Sequence, residues 1–504
     1  MRGKACRGRA RRSGEGSRGR CIETKVFRSS RRTVRIVPRR AFFDTLAGAS
    51  GGMADLPKYV YHLLPGNEDS LIRECLVRRP WWRPAAVRAG GHPEPHHLWW
   101  GVNGQKLDFA RFPPEGLSPS MCNRLRNNRE ACVKTRLALN LRRYGATLGR
   151  KEATNLPWAP TTFVLHAGRH TEELDAFRNH ARYFRGPWIV KPGASNRGRG
   201  IALLRTAAAV EKHLAKQRRD DAFVAQAYLA NPLLVRGRKF DVRVFALVAP
   251  DGGAYVYGDG YVRTCTTPYT VEDLADLSAH LTNDAVQRGL KGYGKHEDCN
   301  KLSFAEFQRA LDAERLERPE PDRSRRIDFA NDVWPEIERV TACALGATLG
   351  CGTPRDGGDH DARRSRNLAQ PGATFEVFGL DFMLARDGSP ALIEINTSPA
   401  LFRHGEVLRT TLPKMMEEVC RLTLDCVFPA PPGHERVASA GPEGPEAPRR
   451  FRKLDVVVDL AVASRVSAPR RARKGARSAS EKGTGPIPPC ERVGARAPSR
   501  ALEV

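Results

Sequence analysis

Three stretches of the 504-residue chain carry residues whose types and spacing could do chemistry. The first is "FEVFGLDFML" and "PALIEIN", separated by "ARDGS". Asp-Gly is a strong signal for a two-residue type I′ turn. With Asp387 and Gly388 at its centre, Arg386 faces Ser389 and Asp381 falls opposite Glu394. Asn396 then shares a face with Glu394, while Phe378, Leu380, Phe382, Ile393 and Ile395 occupy the other face, for a core. Two carboxylates directly opposite repel each other unless a cation lies between them. Two carboxylates and an amide oxygen suit Mg²⁺, a hard cation usually shared with phosphate oxygens. A solvated acidic face explains the same spacing equally well.

The second stretch is "RKFDVRVFALV", where Lys239, Asp241 and Arg243 alternate with Phe240, Val242 and Val244. Period two puts the three charges on one face. A surface strand does the same, but such cations would also neutralise phosphate or a carboxylate. Arg263, in "GYVRT" on the return strand, could join them. The third is "WIVKPGASNRGRGI", a strand reaching Lys191 and opening into a Gly-rich loop. Such a loop can turn backbone N–H groups to an anion. It matches neither of the common phosphate-loop patterns, and by itself is weak evidence in an Arg-rich chain.

The elements that must position these residues form an α/β pattern. Strands are expected at "KYVYHLL", "TTFVL", "PWIVKP", "IALL" and "AFVAQAYL", and a hairpin at "RKFDVRVFALV" and "AYVYGDGYVR" around "APDGG". "NNREACVKTRLALNLRRYG" reads as one helix with Cys132, Leu137, Leu139 and Leu141 apolar. "TAAAVEKHLAKQ", "DVWPEIERVTACALGATLG" and "LPKMMEEVCRLTLDCVF" read as further helices. The tryptophans of "WWRPAAVRAGGHPEPHHLWW" are expected in the core rather than on a partner platform. Residues 351–373 read as a mobile loop, whose His360 and aspartates are taken as solvated rather than as metal ligands.

The formal charge of +28 and pI near 10.1 call for an anionic partner. Roughly +12 lies in residues 1–52 and roughly +7 in 431–504. Both ends read as disordered basic tails, the first as an ordinary tail or over-extended start rather than a targeting segment. Between them the expected domains are an α/β domain at 53–165, a central domain at 166–235 and a C-terminal domain at 236–430. No apolar run approaches membrane-spanning length, and twelve cysteines without a CxxC pair argue against a zinc module or disulfide framework.

Taken in order, "WIVKPGASNRGRGI", "QAYLANPLL", "RKFDVRVFALV", "YVRTCTTPY", "HLTN", "FGLDFM" and "LIEINTSPAL" resemble the tubulin tyrosine ligase-like family of ATP-grasp ligases, over roughly residues 120–430. The resemblance implies an α/β ATP-grasp fold after a mixed α/β N-terminal domain. Its implied substrates are ATP with Mg²⁺, a free amino acid and the acidic C-terminal tail of tubulin. Lys134 and Lys191 would touch the ATP phosphates, and Gly198 and Gly200 would belong to the flap over the nucleotide. Gln226, Tyr228 and Leu229 would line the adenine pocket, with Lys239 and Asp241 near ribose and phosphates. Thr282 and Asn283 would contact ATP or its metal shell, while Asp381, Glu394 and Asn396 would hold Mg²⁺. Arg243 and Arg263 would grip carboxylates of the acceptor or the incoming amino acid.

The donor signals are mixed. Residues 261–307 look most like the tyrosine-adding member, and the flap, with Arg197 and Arg199, leans towards glycine-adding ones. "INTSPAL" is common among glutamate-adding members, whose downstream lysine has only an approximate counterpart in Lys414. The leading expectation is a tubulin-tyrosine ligase, monomeric, in the cytoplasm or on the cytoskeleton or cilium, with no membrane or nucleic-acid partner. A polyglutamylase or glycylase is the runner-up, and a degenerate fold that binds microtubules or nucleic acid without catalysis is the third reading.

Overall fold

The computed structural model describes residues 59–431, with short breaks and longer ones at 110–116, 149–155, 320–324 and 351–373, together with 451–454. The segments expected to be disordered or mobile, His360 among them, lie outside the described residues, with one exception given below. Among the described residues no helix is long and apolar enough to cross a membrane.

Three sheets make up the α/β architecture. The first is parallel, ordered β2-β1-β3-β4 from β1 (Tyr59–Leu63), β2 (Trp82–Pro84), β3 (Leu98–Trp100) and β4 (Met121–Cys122). Trp81, Trp82, Trp99 and Trp100 are all buried, so the aromatic, Pro-rich stretch supplies core. The second sheet is antiparallel, ordered β5-β8-β6-β7 from β5 (Thr162–His166), β6 (Trp188–Pro192), β7 (Ala202–Leu204) and β8 (Ala222–Ala227). Its core gathers Phe163, Phe177, Trp188, Val190 and Phe223. Helices Glu172–Ala181 and Ala207–Leu214 start where Thr171 and Thr206 accept hydrogen bonds from the backbone N–H of Leu174 and Ala209.

The third sheet positions the chemistry. It comprises β9 (Phe240–Val248), β10 (Ala254–Thr264), β11 (Lys301–Leu302), β12 (Glu376–Leu384) and β13 (Pro390–Thr397), in the order β11-β10-β9-β12-β13. One face carries Phe240, Val242, Val244, Phe378, Leu380 and Phe382 into a core closed by the helices Phe304–Glu317 and Trp334–Leu349. The opposite face is divided. Phe245, Leu247, Tyr257 and Val377 pack with the helix Glu406–Leu422 and the first sheet, whereas Lys239, Asp241, Arg243 and Asp381 stand on the remaining part. All nine residues of β9 are buried, so its charges belong to a central strand and not to a surface one.

Several expectations change. The helix foreseen across "LPKMMEEVCRLTLDCVF" ends at Leu422, and Leu424–Val427 is a separate turn of helix, because Thr423 leaves helix geometry (φ −120°, ψ −70°). The aromatic stretch read as a loop holds β2 and β3. The helix foreseen across "NNREACVKTRLALNLRRYG" is two, Arg129–Cys132 and Lys134–Thr147, because Val133 is extended (φ −85°, ψ 118°). Leu137 and Leu141 are buried as expected, but Leu139 is exposed. Within the expected C-terminal tail, Phe451–Lys453 forms β14, antiparallel to Tyr255–Tyr257 of β10.

At Gly260 a Cβ would lie 2.2 Å from the carbonyl oxygen of Arg243 on the neighbouring strand. Gly260→Ala is therefore expected to lower stability by about 2–3 kcal/mol in urea unfolding. Gly289→Ala, whose Cβ would meet nothing within 4 Å, is expected to be near neutral.

Candidate functional site

The floor of the site is a set of buried ion pairs across β10, β9 and β12. Register places Arg243 opposite Asp381 and Arg263 opposite Asp241. Arg243 Nε donates to Asp381 Oδ1 at 2.5 Å and Nη2 to Oδ2 at 3.1 Å. Arg263 Nε donates to Asp241 Oδ1 at 2.7 Å, and its Nη2 also lies 2.8 Å from Asp381 Oδ2, bridging both aspartates. Thr282 Oγ1 donates to Asp241 Oδ2 at 2.7 Å. Burial alone would raise the Asp381 carboxyl, but the Arg243 and Arg263 guanidiniums outweigh it and hold the group below the usual carboxylate range.

The β12–β13 hairpin brings Asp381 opposite Glu394, as expected, by a different route. The turn has three residues, Arg386-Asp387-Gly388: Ala385 N–H donates to Ser389 O, and Gly388 sits at φ 91°. That is the loop whose left-handed third residue favours glycine. It shifts the pairing by one, and a bulge between Asp381 and Phe382 shifts it back. Ile393 is the extra residue. It leaves the core face expected for it, lines the cleft beside Glu394, and Leu392 takes its place in the core.

Asn396 Nδ2 donates to Asp381 Oδ2 and to Glu394 Oε1, both at 3.2 Å. Lys134 Nζ lies 3.4 Å from Glu394 Oε2 and donates to Ser195 O at 2.9 Å. The helix break at Val133 makes this possible, because it starts the next helix at Lys134, whose backbone N–H donates to Gly193 O. Each opposing carboxylate thus has its own cation: two arginines for Asp381 and a lysine for Glu394. Repulsion between them does not by itself require a metal. The two carboxylates nevertheless suit a hard cation, with Asp381 and Glu394 on the wall of the cleft, while Asn396, which turns its Nδ2 to both, would have to turn its amide over to offer Oδ1.

Above this floor opens a cleft of about 660 Å³ between the second and third sheets. Lys191, Gln226, Tyr228, Leu229, Lys239, Asp241, Thr282, Asn283, Asp381 and Glu394, ten of the residues singled out from sequence, line it together. Lys191 Nζ donates to Gln226 Oε1 at 2.9 Å, and Gln226 Nε2 to Thr162 Oγ1 at 2.9 Å. Lys134 lines an adjoining cavity of about 590 Å³ that shares Lys191, Gln226 and Ile393. Gly198 and Gly200 form a turn at the flap, with Gly198 against Val286, Leu281 and Asn283. Arg243 and Arg263 lie beneath the cleft, committed to the aspartates.

Sequence reasoning missed the apolar walls Ile189, Ile201, Leu281 and Met383, and it missed His280. Ile201 and Leu203 from the flap side pack with Leu274, Leu277 and Leu281 from beyond β10. Nothing in their spacing marks them, because the contact joins two distant segments. His280 stands inside the quoted "HLTN", yet its role depends on a side chain 52 residues away.

A model of the tubulin-tyrosine ligase family matches residues 116–434. The chain belongs to the tubulin-tyrosine ligase family. Its mixed α/β architecture is accordingly ATP-grasp-like. Relatives of this family member include the probable alpha-tubulin polyglutamylase Ttll1 of Tetrahymena thermophila, 26% identical over 326 residues, or 60% of this chain and 71% of that one. Tubulin glycylase 3B of the same organism is 26% identical over 250 residues, 49% of this chain and 19% of the relative. Protein monoglycylase TTLL8 of Mus musculus is 27% identical over 259 residues, 50% and 28% respectively. The chain therefore spans less than a third of the length of either glycylase.

Burial pushes the ammonium groups of both Lys191 and Lys239 down to about 8. An unfolded lysine titrates near ~10.4. Between those values the unfolded chain binds more protons, so these two groups make stability rise with pH. Urea unfolding at pH 7.5, 8.5 and 9.5 is expected to show the parent gaining on a Lys191→Met, Lys239→Met double variant as pH rises. A constant gap would mean that both lysines titrate normally.

Proposed function

We propose that the chain is an ATP- and Mg²⁺-dependent carboxylate–amine ligase that adds an amino acid to the acidic C-terminal tail of tubulin. One observation carries this reading: two buried lysines and three carboxylates meet on a single cleft within the segment matched by the family model. The excess positive charge supports an acidic acceptor.

In this reading Lys191, Lys239 and Lys134 meet the ATP phosphates, and Gly198 and Gly200 close over them. Gln226, Tyr228 and Leu229 receive the adenine, while Asp241, Thr282 and Asn283 face ribose and phosphates. Asp381, Glu394 and Asn396 would hold Mg²⁺, which would supply charge neutralisation on the phosphates. The acceptor carboxylate oxygen attacks the γ-phosphorus and ADP leaves, giving an acyl phosphate. The amine of the amino acid then attacks the acyl carbon, phosphate leaves and the amine sheds a proton. Cations near the reacting carbonyl stabilise its developing oxyanion. Arg243 and Arg263 hold Asp381 and Asp241, and either would meet a substrate carboxylate by giving up part of that pairing.

For the donor, the likeness of residues 261–307 to the tyrosine-adding member favours tyrosine. Glycine is the second reading, favoured by the flap and by relatives named as glycylases. Glutamate is supported by the relative named as a probable polyglutamylase, but Lys414 is exposed on the helix Glu406–Leu422 and is not among the residues lining the cleft.

Purified protein given Mg·ATP, tubulin and tyrosine, glycine or glutamate in turn is expected to add mass to a tubulin chain with one of the first two donors, read by intact-mass spectrometry. Glu394→Gln is expected to reduce the rate by about a hundredfold or more. No increment with any donor would overturn the reading.

A further inference from the structure

His280 is 1% exposed and touches the cleft, yet no step above uses it. Its surroundings fix its protonation. Nε2 lies 3.0 Å from the carbonyl oxygen of Asp273, which can only accept, so in the neutral ring Nε2 carries the proton. Nδ1 is then an acceptor, 2.8 Å from the Tyr228 hydroxyl, and the hydroxyl proton must point to it. With that proton committed, the Tyr228 oxygen presents lone pairs elsewhere, and Lys239 Nζ donates to it at 2.9 Å. A second Lys239 N–H is taken by the backbone carbonyl of His280 itself, at 2.8 Å. The ammonium also lies 4.5 Å from the centre of the Tyr228 ring. Two of its three N–H donors are thus directed by one residue, once through its main chain and once through Tyr228. The third is left for the cleft that Lys239 lines.

We propose that His280 is a positioning residue for the nucleotide: through Tyr228 it holds the Lys239 ammonium in one orientation, with a donor aimed at the phosphate-bearing ligand. This rests on the reading of the cleft as an ATP site. A free lysine ammonium on a flexible stem would have to be ordered when ATP arrives; here the chain Asp273–His280–Tyr228–Lys239 orders it beforehand. The same chain ties the segment before Thr282 and Asn283 to β8's continuation at Tyr228, so it sets one wall of the cleft relative to another.

The test is the affinity of the full-length protein for Mg·ATP by titration calorimetry, with thermal unfolding as the check on folding. His280→Ala is expected to weaken binding about tenfold, the scale of one charge-assisted hydrogen bond. Tyr228→Phe is expected to do the same. The double variant should be no weaker than the poorer single one, since both cut one chain. His280→Asn, whose Oδ1 can replace Nδ1 as acceptor, should return the affinity to within about threefold of the parent. In turnover with a working donor, the losses should fall on KM for ATP and leave kcat nearly unchanged. Should His280→Ala not fold, Tyr228→Phe and its combination with His280→Asn carry the same comparison. Parent-like binding by folded His280→Ala and Tyr228→Phe, or losses that add in the double variant, would overturn the proposal while leaving the ATP site standing. No Mg·ATP binding by the parent would overturn both.

Discussion

Everything in the cleft depends on four buried charges that have to pair. Asp241, Arg243, Arg263 and Asp381 sit on three adjacent strands, each 7% exposed or less. An ion taken from water without a partner costs several kcal/mol, so each must face its opposite. Arg263 reaches both aspartates, which joins the two cross-strand pairs into one group. A one-residue slip of β9 against β12 would turn the charges into the core of Phe378, Leu380 and Phe382. The ion pairs and that core therefore enforce a single register, and register decides where the carboxylates of the hairpin stand.

The third sheet is economical in its use of faces. One side is apolar for most of its length, but at the start of β12 buried Glu376 accepts from Leu125 N–H, Asn128 and Thr397. The other changes along β9 from Phe245 and Leu247, covered by a helix and the first sheet, to Lys239, Asp241 and Arg243 beneath the cleft. The second sheet supplies Lys191 and Gln226 from above, and the flap cluster of Ile201 and Leu203 with Leu274, Leu277 and Leu281 closes one side. Apolar packing brings the two sheets together, and charge distribution leaves a polar space between them. That division lets one sheet serve as both core and floor.

The flanking sequence bears differently on the work of the molecule. The buried lysines, the carboxylate pair and the arginines depend on the ligase-family segment alone. The first sheet contributes tryptophans, and the buried Arg79, in the turn just before β2, pairs with Glu417 and Asp425. The sheet's interactions seen here are packing, behind the divided face. Relatives named for different donors match between about half and three fifths of this chain.

By itself the sequence determined which side chains share a face. Strand side chains alternate with period two, so "RKFDVRV" groups Lys239, Asp241 and Arg243, and "IEIN" groups Glu394 with Asn396; Asp381 joins them only through the pairing of the two strands. Apolar runs with Gly and Asp-Gly between them likewise marked nine of the fourteen strands, but not the short β2, β3, β4, β11 and β14, the first two of which lie in the aromatic, Pro-rich stretch read as a loop. Tertiary structure decided the rest. It set the three-residue turn and the compensating bulge, which depend on how β12 is gripped by β9 and move Ile393 from core to cleft. The break at Val133 depends on Gly193 meeting Lys134. The pairing of Arg243 with Asp381, 138 residues apart, turned an expected repulsion into a neutral group. His280 became meaningful only beside Tyr228. Periodicity is a local property of the backbone, whereas these contacts join segments whose separation is set by packing alone.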